Sequence, residues 1–242
     1  MLEQTRVSHS SDAPNGLQAK RAVDSVSNLS DLPDLLLVER TRGRDTRAFE
    51  TLMRRYNRRL YRIARSILSS DDAAEEAVRA AYFRAFANLD RYEPAGKFGA
   101  WLARLAFNEA LALRRHSPGT QLGAPQQNFA GLTPANGADT VASKQQLEDA
   151  IDALPEVFRT VLVLRVVEDL SGVEVAVCLG LNETTVRTRL YRAQQRLKVD
   201  VARRLRAEPF NIFELTPERC DRIVTQVFAK VHAVNPVASE SR

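Results

Sequence analysis

Four arginines, Arg187, Arg189, Arg192 and Arg196, fall within ten residues of the stretch "LGLNETTVRTRLYRAQQRL". Guanidinium groups at that density suit one chemistry above others, hydrogen bonding to phosphates and to base edges. On a helix of about 3.6 residues per turn, Val186, Leu190, Ala193 and Leu197 share one face. Thr184, Thr188, Tyr191, Arg192 and Gln195 lie opposite, with Arg187 on the flank. No acid follows Glu183 on the outer face, whereas a helix that only faces water ordinarily mixes Glu with Lys. A helix with this outer face fits the major groove of DNA. The competing reading is a solvated amphipathic helix.

Other chemistries find little support. His9, His116 and His232 are scattered, and Cys178 and Cys220 sit in no CxxC or Cys/His cluster, so no metal and no cofactor is expected. No Gly-rich phosphate loop or nucleophile elbow is present, which argues against an enzyme. Cys178, flanked by Val175, Val177 and Leu179, reads as a small core residue. Two cysteines fit a reducing cytoplasm. No apolar run approaches the roughly 18 residues of a membrane span, and the polar N-terminus lacks a secretory signal. The expected location is cytoplasmic.

Two elements must position the Arg-rich helix. Gly180 can take the left-handed conformation that ends a preceding helix, "GVEVAVCL", for which Ser171 is the N-cap. Asn182 or Glu183 then opens the next helix, which makes a helix-turn-helix. Upstream, "ALPEVFRTVLVLRVV" contains a Val-rich run, Val161 to Val167, that could pass for a strand. Its helical flanks and the lack of a second strand to pair with favour a helix.

The first half is helical too. Phe49, Leu52, Met53, Tyr56, Leu60, Ile63 and Ile67 recur every three or four residues. Ser70 offers an N-cap to a second helix that runs to about Leu89. "RYEPAGK" reads as a loop, followed by the helix "FGAWLARLAFNEALALRRH". The fold class is therefore all-α, with two small helical domains joined by a flexible linker, the second containing the helix-turn-helix. The expected bounds are a disordered tail at 1–30, a first domain at 31–116, a linker at 117–142, a second domain at 143–206 and an extension at 207–242. The linker holds three Pro, four Gly and no Lys or Arg. Such a segment buries too little apolar surface to offset the entropy of ordering it. In the extension, Thr216 caps a helix whose stripe is Ile223, Val224, Val227, Phe228 and Val231. That helix either packs on the second domain, or binds a regulator or shields the DNA-reading face.

The chain is 44% hydrophobic and carries a net charge of +5. The distribution is more telling than the total. From Arg40 to Arg65 there are ten Arg against two acids, and from Leu181 to Arg206 eight Lys or Arg against two acids. Two distant basic segments suggest two contacts with a polyanion, or else two solvated helix faces.

With Leu154-Pro155, Arg159, Leu162, Leu164-Arg165, Leu170-Ser171, Ala176, Leu179-Gly180, Thr185-Val186-Arg187, Arg189-Leu190 and Arg192-Ala193, the second domain resembles the promoter-binding domain of bacterial sigma factors. More narrowly, the chain resembles the extracytoplasmic-function group of the sigma-70 family. The first domain supports this through Phe98, Trp101, Leu102, Ala106 and Asn108. The resemblance implies a protein that binds core RNA polymerase, at the clamp of the beta-prime subunit and the flap of the beta subunit, and directs it to promoter DNA. It places Arg187, Thr188, Tyr191 and Arg192 at the minus-thirty-five element, with Thr184 and Gln195 on the same outer face. It assigns the loop from Arg91 to Lys97, with Asn108 nearby, to capture of an extruded base of the minus-ten element. The polymerase would meet Glu75, Glu76, Arg79 and Tyr82. The family also implies an anti-sigma factor as partner. Two departures stand out. Arg79 and Ala80 replace the family's usual Gln followed by an acid, and Ala112 stands where Asp is common. The alternatives are a sigma-like decoy that sequesters an anti-sigma factor, and a regulator that shares only the helix-turn-helix. From the residues alone, Phe98 and Trp101 read as core aromatics, Asn108 as an exposed helix residue, and the Arg54-Arg55 and Arg58-Arg59 pairs as a solvated helix face; beside the resemblance, those pairs read instead as contacts with polymerase or DNA backbone.

Overall fold

The computed structural model describes residues 29–93, 97–116, 140–197 and 212–234. The tail at 1–28, most of the linker and residues 198–211 lie outside the described residues. Nine α-helices, and no strand, are present among the described residues. The first unit comprises α1 (Asp34–Arg42), α2 (Thr46–Leu68), α3 (Asp71–Ala87) and α4 (Phe98–His116). Asp45 caps α2 by accepting from the backbone of Arg47 and Ala48, which satisfies two otherwise unpaired N–H groups. Ser70 caps α3, which ends at Ala87, two residues short of the bound read from the sequence. The apolar stripe of α2 is buried as its spacing requires, with Phe49, Leu52, Met53, Leu60 and Ile63 fully enclosed. Ala74, Ala77, Ala81 and Ala85 line the buried side of α3, and such small side chains let helices pack closely. A closer approach brings α4 onto α2: a Cβ on Gly99 would lie 2.5 Å from the Tyr56 ring.

The second unit comprises α5 (Thr140–Asp152), α6 (Glu156–Leu162), α7 (Gly172–Leu179) and α8 (Glu183–Arg196). The Val-rich run is helical, as its flanks imply. Its second part, Val163–Val167, winds as a π-helix, and the Glu168 N–H reaches back to the Val163 carbonyl. Ser171 and Glu174 form a reciprocal capping box on α7. Gly180 takes φ 65°, where no other atom is crowded. Asn182 caps α8 by accepting from the Thr185 N–H. α5 begins at Thr140, inside the stretch read as linker.

The two units pack on each other. α4 lies against α7, and α2 against α6. The contact is polar at its core. Arg62 and Arg59 both bond Glu168, at 2.8 and 3.2 Å, and Arg65 pairs with Asp152 at 2.9 Å. The buried Arg159 returns the contact by donating to the Ser66 carbonyl at 2.6 Å. Much of the basic run from Arg40 to Arg65 is therefore held by the chain's own acids and carbonyls. This corrects the reading of that run as a free polyanion contact. Of the two Arg pairs, Arg54 bonds Glu50 and Asp221, Arg55 bonds Asp34, and Arg59 bonds Glu168, whereas Arg58 is exposed.

The extension forms α9 (Pro217–Val234), opened by Thr216. It packs mainly on α3 and α2 of the first unit. Neither expected position, on the second domain or over the DNA-reading face, is the one observed. The reason lies in its residues. Ile223, Val224, Val227 and Val231 are buried against the first unit, and Arg219 and Arg222 meet the acid Glu75 on α3.

Candidate functional site

Helix α8 presents the side chains its periodicity implies. Thr184, Arg187, Thr188, Tyr191, Arg192 and Gln195 are all exposed, while Val186, Ala193 and Leu197 are buried. Tyr191 is 62% exposed, costly for an aromatic with no partner and useful for one that meets a base or sugar. No acid pairs with Arg187 or Arg192 among the described residues. Arg196 instead stacks over the Phe158 ring at 5.0 Å, so it supports α8 rather than extending its outer face. The helix is held rigidly from beneath by packing against α6 and α7. Cys178 belongs to that packing: burial pushes its thiol up to about 12, so it stays a neutral core residue.

In the first unit, Lys97 lines a cleft of about 310 Å³ with Tyr56, Tyr92 and Phe98. Arg91 and Asn108 are exposed but do not line this cleft, and residues 94–96 of the loop lie outside the described residues. Phe98, Trp101 and Tyr92 meet with centroids 5.0–5.5 Å apart; Phe98 is core, as its type suggests, and Trp101 is half-buried against that core. The far wall of the cleft is Leu170 and Glu174 of the second unit. Lys97 reaches across to Glu174 at 2.7 Å. That bond, with the Ser171 cap, lowers the Glu174 carboxyl to about 2.

The four residues assigned to polymerase occupy different surroundings. Glu76 is exposed and Arg79 is half-buried, 3.5 Å from Glu75. Tyr82 is fully buried, its hydroxyl donating to the Met53 carbonyl at 3.0 Å. This corrects its assignment: an aromatic on the α3 stripe packs into the core, edge-on to Phe49. Glu75 is 2% exposed because α9 covers it. Burial pushes its carboxyl up, but the hydrogen bond from Arg222 and the charges of Arg219 and Arg222 outweigh this and hold it below the usual range. Sequence reasoning found α9 but not this contact. The only available signal was the spacing of Arg219 and Arg222, which puts both on one helix face beside the apolar stripe.

The model of Sigma-70 region 2 matches residues 52–117 and that of Sigma-70, region 4 matches residues 144–197. The ECF RNA polymerase sigma factor SigW of Bacillus subtilis is 27% identical over 173 residues, 66% of this chain and 92% of the relative. The ECF RNA polymerase sigma-E factor of Escherichia coli is 29% identical over 176 residues, 68% of this chain and 92% of the relative. The chain belongs to the extracytoplasmic-function group of the sigma-70 family. This is a family of transcription initiation factors. The sigma factor is also similar to CnrH, solved in complex with the cytosolic domain of CnrY. The TM-score is 0.52 at 25% identity, covering 70% of this chain and 97% of the other. Both family models end before α9 begins.

Proposed function

We propose that this sigma factor reads the minus-thirty-five element of its promoters through Arg187, Thr188, Tyr191 and Arg192, with Thr184 and Gln195 beside them. The carrying observation is the exposed outer face of α8, which carries no acid after Glu183. The first unit binds core RNA polymerase through the α3 face and engages the minus-ten element near Arg91, Lys97 and Asn108. Lys97 is 81% exposed while bonded to Glu174, so its ammonium, with three donors, can also meet a phosphate. Extruding a base costs a few kcal/mol, and the aromatic and basic lining of the Lys97 cleft supports its capture. The protein acts in the cytoplasm by recognition, as a transcription initiation factor rather than an enzyme. No helix among the described residues is long and apolar enough to cross a membrane. An anti-sigma factor is its regulator, as membership of the family implies.

Footprinting tests the reading. With core polymerase present, protected genomic fragments are expected to share two short elements at a fixed spacing. Protection of one element alone, independent of core polymerase, would make the protein a helix-turn-helix regulator instead.

A further inference from the structure

Helix α9 lies outside both matched family regions, yet it occupies the α3 face. Its seat combines two kinds of contact. Ile223, Val224, Val227 and Val231 are at most 5% exposed, Phe228 meets Phe49 edge-on at 6.3 Å, and Lys230 lies 4.4 Å over the Phe83 ring. At the rim, Arg222 donates twice to Glu75, at 2.8 and 2.6 Å, and Arg219 adds a third bond to the same carboxylate. Arg219 also pairs with Asp72 at 3.3 Å.

We propose that α9 is an intramolecular competitor of core RNA polymerase for the α3 face, a basic amphipathic helix that must leave before the polymerase can dock there. The proposal rests on the reading of α3 as the polymerase-binding helix. Glu75 is 2% exposed under α9, so an incoming protein cannot reach its carboxylate, while its neighbour Glu76 is already exposed. The arrangement is built to exchange. Arg222 is 46% exposed and Arg219 24%, so the guanidinium groups stay partly hydrated and can separate from Glu75. Departure of α9 also returns Glu75 to water, because α9 itself provides the burial. The carboxylate is therefore not left stranded in a dry core, which would be the costly outcome. Asn57 on α2 donates to Cys220 Sγ on α9 at 3.0 Å, a further bond that opening must break.

The apparent affinity of a site is its intrinsic affinity reduced by the fraction of open molecules. A seat closed about ten to one thus weakens polymerase binding about tenfold. Binding of labelled full-length protein to core polymerase, followed by fluorescence anisotropy, tests this with three variants. The full chain carrying Arg219→Glu and Arg222→Glu is expected to bind about tenfold more tightly than wild type. Deletion of residues 207–242 is expected to do the same, and a peptide of residues 212–234 added in trans should reverse that gain. Wild-type affinity in the charge-reversed chain, with no effect of the peptide, overturns the competition. Glu76→Lys in the charge-reversed background separates the two claims. If it abolishes binding, α3 is the docking face whatever α9 does. If binding is unchanged, the reading of α3 falls and takes the proposal with it.

Discussion

Arg187 and Arg192 project from α8 with no acid bonded to them among the described residues, whereas Arg62 and Arg159 are buried, bonded to acids and carbonyls between the two units. The residue type is the same, and the difference lies in what surrounds it. Arg187→Ala or Arg192→Ala should therefore leave the fold intact and weaken promoter binding. The expected loss is about 1–3 kcal/mol where the group reads a base, with relaxed preference at one position. A phosphate contact should weaken all sequences alike and flatten the salt dependence. Binding titrations against promoter fragments with single base changes decide between these. Glu75 supplies a second prediction. Its folded pKa lies below its unfolded value, so its contribution is present above the ordinary carboxylate range and lost as pH falls through the lowered value. The neighbouring Asp71, Asp72, Arg79, Arg219 and Arg222 share in this balance. Hydrogen exchange in α9 should accelerate as the solution is acidified below about pH 4, beyond the intrinsic change. In Glu75→Gln this extra acceleration should shrink. Equal profiles would show that Glu75 does not hold the helix.

At the scale of elements, two glycines act for opposite reasons. Gly180 needs its φ of 65° and has open space around it, so Gly180→Ala should cost about 1–2 kcal/mol from backbone strain alone. Gly99 has an ordinary backbone but faces the Tyr56 ring, so Gly99→Ala should cost about 1–3 kcal/mol through overpacking. Chemical denaturation measures both, and only Gly99→Ala should disturb the Tyr56 bond to Asp34. The elements themselves were legible because each is written locally. The stripe from Phe49 to Ile67, the Ser70 and Ser171 caps and Gly180 each specify a short segment by period or by cap chemistry. The outer face of α8 was legible for the same reason, since helical period alone sorts Val186 from Arg187. The position of α9 was not. Its stripe declares that it must bury a face, but many apolar surfaces would serve. Only the pairing of Arg219 and Arg222 with Glu75, some 145 residues away in sequence, selects α3. Tyr82 was given to the polymerase by motif position, although its helical spacing from Val78, Phe86 and Leu89 already turns it inward.

Ion pairs cross each of the contacts that close the molecule around its apolar core. Arg62 with Glu168, Arg65 with Asp152, Lys97 with Glu174 and Arg222 with Glu75 tie the first unit to the second and to α9. Each bond satisfies a group that a functional partner would otherwise claim or that the interface would otherwise leave unpaired. Partly exposed pairs of this kind weaken with salt, so domain contacts at Lys97 should loosen before those at the buried Arg159. The central claim is that the chain confers promoter specificity on RNA polymerase. Run-off transcription from a genomic promoter library, using purified core polymerase with and without the protein, tests it most directly. The account predicts discrete transcripts only when the protein is present, reduced by Arg187→Ala and Arg192→Ala together. Transcript patterns identical with and without the protein, under conditions where it binds core polymerase, would contradict it.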